Sequence, residues 1–187
     1  MNTVGKLLDL VQHSERTFLI LAAAVVGVVS GFGVILFCFG VEYFTGIFRS
    51  GGKSIFGGMG AYYVILLPAF GGLIVGGLAQ FFGRDGKGYG VAEIMAAVAF
   101  KGGRVRFPAA LLKSLASAVC IGSGGSAGLQ GPSVHIGGAI GSFLGQVMRI
   151  RGKKLKALAA CGAAGGIAAT FNAPIGGALF AMEVILG

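Results

Sequence analysis

The stretch GSGGSAGLQGPSVHIGG, residues 122–138, sets small residues around a proline, with Gln130 among them, in a chain that is otherwise strongly apolar. Glycine at such a density lets backbone approach a partner closely, and Pro132 just inside a helix start gives up no needed N–H donor. The first turn of a helix presents unpaired N–H groups and about half a positive charge, which together make an anion site without a full positive charge. Gly128-Leu129-Gln130-Gly131 before Pro132 fits that geometry. A second candidate start is Gly88-Tyr89-Gly90-Val91-Ala92-Glu93, opening a segment that runs to Phe100. The competing reading of both is close helix packing through small residues.

Composition names the solvent. Of 187 residues, 55% are hydrophobic and 11% charged, and the mean hydropathy is +0.88. A soluble domain of ordinary makeup is not so apolar, so the chain belongs in a bilayer. Thr17–Val41 and Ser54–Phe82 are free enough of charge and long enough to read as two full crossings of a hydrocarbon core that takes roughly 20 helical residues. Met1–Arg16 carries Leu7, Leu8, Leu10 and Val11 at helical spacing among polar residues and reads as an amphipathic helix at the interface. Polar interruptions and the lack of a small-residue cleavage site argue against a signal peptide.

Beyond residue 106 the apolar pieces become short: Phe107–Ile121, Pro132–Met148, Ala157–Thr170 and Pro174–Leu186. At 1.5 Å per residue each reaches only about 18 to 26 Å as a helix. The breaks between them fall at the Gly122–Gly125 run, the basic loop Arg149–Lys156, and Phe171-Asn172-Ala173-Pro174. Glycine and proline breaks at membrane depth are tolerated only where backbone is buried in protein or lines a cavity, and broken helices of this kind mark transport sites. The pattern predicts an all-α, multi-pass membrane protein with broken, re-entrant helices.

Basic residues cluster at Arg84 and Lys87, at Lys101, Arg104 and Arg106, and from Arg149 to Lys156, whereas the loop near Arg49 is sparsely charged. By the positive-inside rule the clustered loops and the N-terminus are cytoplasmic, and the turn at Gly122–Gly128 lies outside. The net charge of +9 is then a topology signal. Nucleic acid is not expected as a partner, because the basic residues form no stripe on a soluble face. Cys38, Cys120 and Cys161 lie apart in apolar segments and read as plain buried thiols, and His13 and His135 lack a second histidine at ligand spacing. A packing or interfacial role is expected for both histidines. Nothing suggests a nucleophile with its base, and the glycine run lacks the Gly-Lys-Ser/Thr ending of a phosphate loop. No enzyme, metal or cofactor is expected.

GSGGSAGLQGPSVHIGGAIGS, followed about 20 residues on by CGAAGGIAATFNAPIGGALFAMEV, strongly resembles the CLC family of chloride channels and proton-coupled chloride exchangers. GKGYGVAEIM resembles that family's G-S-G-x-P-E stretch, the amphipathic start its interfacial first helix, and the next two spans its second and third. The resemblance implies helix N-termini converging on a dehydrated anion, chloride or another small anion, inside a homodimer whose subunits each have a pore. The backbone of Gly128, Leu129, Gln130 and Gly131 would face an outer anion site, and the Gly88-Tyr89-Gly90 stretch a central one. Tyr89 stands where many members have serine, and its phenolic hydroxyl can still donate to chloride. Ala92 replaces the usual proline.

The same resemblance gives Gln130 a role. It occupies the position of a gating glutamate that competes with the anion when charged and relays a proton when protonated. An amide keeps the shape and can do neither, so Gln130 implies an always-neutral gate. Aligning FNAPIGGALFAMEV places Glu183 on the first of two adjacent glutamates of exchanger members and Val184 on the second, the one linked to inner proton transfer. Glu183 alternatively reads as an interfacial carboxylate paired with a nearby Lys or Arg. The two departures favour passive chloride conduction. Proton-coupled exchange through Glu93 and Glu183 and a nonconducting membrane protein remain the alternatives. Family members are built of two inverted halves, and residues 1–187 correspond to the first, with no second copy of the motifs.

Overall fold

The structure, a computed structural model, describes residues 3–56, 63–82 and 90–187. Its elements are α1 (Thr3–Phe56), α2 (Tyr63–Phe82), α3 (Val91–Phe100), α4 (Phe107–Gly122), α5 (Gln130–Val147), α6 (Lys153–Phe171) and α7 (Pro174–Phe180), which widens into π-helical turns over Ala181–Leu186. The described residues are helices and connecting turns throughout, as the sequence leads one to expect.

The N-terminal expectation needs correcting. A separate interfacial helix over Met1–Arg16 and a span ending at Val41 are replaced by one helix of 54 residues. At 1.5 Å per residue it is about 80 Å long, more than twice a hydrocarbon core. Thr3–Phe56 contains no proline, and Ser14, Glu15 and Arg16 mark a change of polarity that does not interrupt backbone hydrogen bonding. The expected second span, Ser54–Phe82, is likewise divided: α1 takes its beginning, and α2 supplies 20 residues, one bilayer's worth, with Pro68 inside.

The short elements fall where glycine and proline put them. Pro108 sits in the first turn of α4, and Gly124 beyond its end takes φ 93°. Gly152 opens α6 at φ 66°, and Asn172 closes it in the left-handed region at φ 51°, where Ala173 N–H reaches back to the Ala168 carbonyl at 3.2 Å. Pro174, which cannot continue α6, starts α7.

At the centre lies α5, whose residues from Ser133 to Ser142 are all buried. Its stripe of Ser133, Gly137, Gly141 and Gly145 packs on Gly166, Gly162, Leu158 and Leu155 of α6, backbone nearly against backbone: a Cβ on Gly137 would overlap the Gly162 carbonyl, and a Cβ on Gly162 the Gly137 carbonyl. Close packing through small residues is thus what this stripe does. Other faces of α6 meet α1, where Gly165 lies on Gly27, and α7, where Gly177 lies on Ala164 and Ala168. A helix touching neighbours on three sides has no polar side to show. Ser30 of α1 ties into the same centre by donating to the Gly137 carbonyl at 3.3 Å.

Two of the basic loops, around Arg104 and around Lys153, share one end of the bundle, and Arg84 and Lys87 lie outside the described residues. Gly103, at φ 81°, lies against Lys156, Lys156 Nζ reaches the Ala99 carbonyl at 3.3 Å, and Ser142 Oγ accepts from Val105 N–H and donates to the Gly103 carbonyl. Gly122 at the opposite end packs on Phe44 and Thr45, while Ala22 and Val26 of α1 cluster with Leu158 toward the basic end. The Gly122 turn and the described basic loops thus lie at opposite ends. Outward faces are apolar: Ile20, Phe32, Leu36 and Leu73 are each at least 70% exposed.

Candidate functional site

Residues 41 positions apart in sequence, Gly90 and Gly131, meet at the starts of α3 and α5. Gly90 precedes α3 at φ 68°, ψ −133°, and a Cβ on it would lie 3.1 Å from the Cα of Gly131. Only glycine combines that backbone conformation with so close an approach. Both helix starts therefore open on the same place, a cavity of ≈ 200 Å³ that Gly90, Val91, Gly131 and Pro132 line together.

The start of α5 is left with free donors. Its first backbone bond is from Ser133 N–H to the Leu129 carbonyl, 3.1 Å; Pro132 has no N–H, and Gln130 and Gly131 have no backbone acceptor among the described residues. Ser133 Oγ also folds back to the Leu129 carbonyl at 2.7 Å and accepts from Thr170 Oγ1 at 2.7 Å, which fixes the first turn to α6. Gln130 is exposed, as are Gly128 and Gly124, and Leu129 is half-buried. The amide of Gln130 is thus held at the mouth of the helix start and not within the core.

Of the expected site residues, Gly131 and Gly90 are brought together at the cavity; Gly128, Leu129 and Gln130 directly precede Gly131 in the chain and do not line it. Gly88 and Tyr89 lie outside the described residues. Glu183 is elsewhere, on the π-helical turns that follow α7, exposed and without an ion pair among the described residues. The expected pairing with a lysine or arginine is not seen among the described residues.

Two site features were missed by reasoning from sequence. Lys113, in the otherwise apolar α4, reaches across to Glu93 of α3, Nζ to Oε2 2.5 Å. A lysine inside an apolar run was the available signal, since a charge in such a segment takes a partner. The other is His135, one turn beyond Gly131 on the same face of α5. It is 2% exposed and lines the cavity; its Nε2 lies 3.2 Å from the same Glu93 oxygen but off the line of a hydrogen bond, and has no other partner. The expectation of packing or an interfacial place is replaced by a polar, buried one. The three cysteines are free and only partly buried.

A helical bundle closed by glycine stripes, with apolar outer faces, is the architecture of a membrane protein. Comparison with known proteins makes the assignment: residues 71–187 match the voltage gated chloride channel family, and the chain belongs to that family of membrane proteins. It is 35% identical over 127 residues, 66% of this chain and 30% of the relative, to a putative chloride channel protein ClcB-like of Ralstonia nicotianae. An H(+)/Cl(−) exchange transporter ClcA of Vibrio cholerae is 37% identical over 121 residues, 63% of this chain and 25% of its own length. Chloride channel protein CLC-e of Arabidopsis thaliana is 32% identical over 186 residues, 94% of this chain. The chain spans about 25 to 30% of the length of these curated relatives. The relatives bear the names of channels and transporters, and the family is not one of enzymes.

Proposed function

We propose that this chain contributes one side of a chloride path, and that anions move along it passively. The observation that carries the reading is the meeting of Gly90 with Gly131, which turns two helix starts and their unpaired N–H groups toward one cavity. An anion there would face Gly128, Leu129, Gln130 and Gly131, with Gly88 and Tyr89 contributing from the chain before α3.

Gln130 sits at the mouth of this site and carries no charge at any pH, so it cannot exclude an anion by occupying its place as a carboxylate would. Val184 is apolar where a second glutamate would be needed next to Glu183. Both substitutions support conduction without stoichiometric proton movement. The apolar outer faces support a setting in the cell membrane, with the basic end and N-terminus cytoplasmic, and a homodimeric assembly is the expectation from the family. Chloride itself, or another small anion, is the cargo; no cofactor takes part.

The test is anion efflux from liposomes containing the chain, alone and co-produced with the C-terminal half of a family relative, with chloride and pH recorded together. Chloride efflux with no accompanying proton flux is the expected result. Proton flux in fixed ratio to chloride would establish exchange instead, and silence in both preparations would establish a nonconducting protein.

A further inference from the structure

The cavity beneath the helix starts holds a group that anion conduction alone does not use. Besides Gly131, it is lined by Lys113, Ser114, Ser117 and His135, a polar wall in an otherwise apolar bundle. A single oxygen of Glu93 stands between two bases, 2.5 Å from the Lys113 ammonium and 3.2 Å from His135 Nε2. Ser114 is committed to the Ala110 carbonyl at 2.7 Å and does not serve the histidine.

His135 is buried with its ring nitrogen facing this space and unpartnered. Unprotonated, Nε2 would set a lone pair against a carboxylate oxygen. Protonated, it sets a positive charge 3.2 Å from that oxygen and offers a donor to water, for which a polar cavity of ≈ 200 Å³ has ample room. Among the described residues, the charges facing the imidazole come from Glu93 on α3 and Lys113 on α4; α6 meets this part of α5 through Ser133, Gly137, Gly162 and Gly166 and α1 through Ser30 and Val34, all uncharged, and α5 adds no other charge. Glu93 and Lys113 cancel. A proton on His135 therefore adds one positive charge, a single helical turn from Gly131.

We propose that His135, held by Glu93 and Lys113, is a proton-binding site in this cavity, and that its proton and an anion at the starts of α3 and α5 strengthen each other's binding. This rests on the anion reading given above. One unit charge a few ångström away in a partly screened site shifts anion affinity on the order of tenfold. Linkage is reciprocal, so anion binding draws a proton onto His135 by the same factor. Such a pair would make anion occupancy acid-favoured although Gln130 cannot titrate.

Chloride binding to the purified chain in detergent, titrated at about pH 5 and about pH 8 against an isethionate control, tests the coupling. Binding on the order of tenfold tighter in acid, with proton uptake from unbuffered solution on chloride addition, is expected, as is a chloride-dependent change in the ¹⁵N shifts of the His135 ring. His135→Gln keeps a neutral donor and should bind chloride with no pH dependence and no proton uptake. Equal affinity at both pH values, or pH dependence that survives in H135Q, would overturn the coupling while leaving the anion reading intact. Absence of chloride binding at either pH would overturn both. Should H135Q fail to fold, the ring shifts of the unsubstituted protein decide: no response to chloride overturns the proposal.

Discussion

Gly90 and Gly131 approach so closely that a Cβ on the first would lie 3.1 Å from the Cα of the second, whereas a Cβ on Gly131 would stand 3.7 Å from the Cα of Gly90. The contact is asymmetric, and the asymmetry is testable. Gly90→Ala must also adopt φ 68°, ψ −133°, a backbone region open essentially to glycine alone that costs an L-residue about 1–3 kcal/mol. G90A should therefore lower the thermal midpoint in detergent and weaken chloride binding, while G131A leaves the midpoint nearly unchanged. Equal effects of the two would contradict the geometry.

The glycine stripe between α5 and α6 reverses a familiar sign. Glycine to alanine within a helix ordinarily stabilises by about 0.5–1 kcal/mol. At Gly137 or Gly162 the added methyl would overlap a carbonyl of the facing helix, and overpacking of that kind costs about 1–3 kcal/mol. G137A and G162A should each destabilise, and G128A, with nothing within 4 Å of its Cβ, should not. Thermal unfolding of the three variants side by side checks the order.

The neutral gate can be charged. Gln130→Glu places a group with an ordinary pKa of about 4.3 at the exposed mouth of the helix start. Above that value the carboxylate competes with the anion, and as pH falls through it the competition is lifted. Liposome efflux by Q130E should be several-fold below the unsubstituted protein near neutral pH and should recover in acid; flux insensitive to pH would mean that residue 130 does not face the path.

The Lys113–Glu93 pair is mostly shielded, with side-chain exposures of 17% and 22%. Lys113→Met leaves Glu93 charged and mostly shielded without its cation. Removing one partner of a buried pair costs about 3–5 kcal/mol, and partial exposure places the expectation near the lower end. K113M with Glu93→Gln should recover most of the loss, because no charge is then stranded. A double-mutant cycle on unfolding in detergent gives the coupling, and additive effects would show the contact to be weak.

The breaks of the C-terminal part were legible because they are local chemistry. Glycine at positive φ, asparagine in the left-handed region and proline at a helix start act within a few residues, so α4, α5, α6 and α7 begin and end within a few residues of where the glycine and proline signals place them. The ends of α1 were not legible. Ser14, Glu15 and Arg16 change the solvent preference of the chain without changing its backbone preference, and polarity was read as a boundary that hydrogen bonding does not observe. The candidate site was half legible: the glycines of both helix starts were identified, yet Lys113 was passed over and His135 was assigned to packing or the interface.

By itself the sequence determined the solvent of this protein, its helical content, the breaks in its helices and the neutrality of position 130, because each follows from the chemistry of residues close together in the chain. Only the tertiary structure decided that Gly90 meets Gly131, that Gly137 faces Gly162, and that Glu93, Lys113 and His135 share one cavity. Those pairings depend on how helices cross, and a crossing is fixed by the simultaneous fit of small residues on three faces of α6, a condition that no single segment carries.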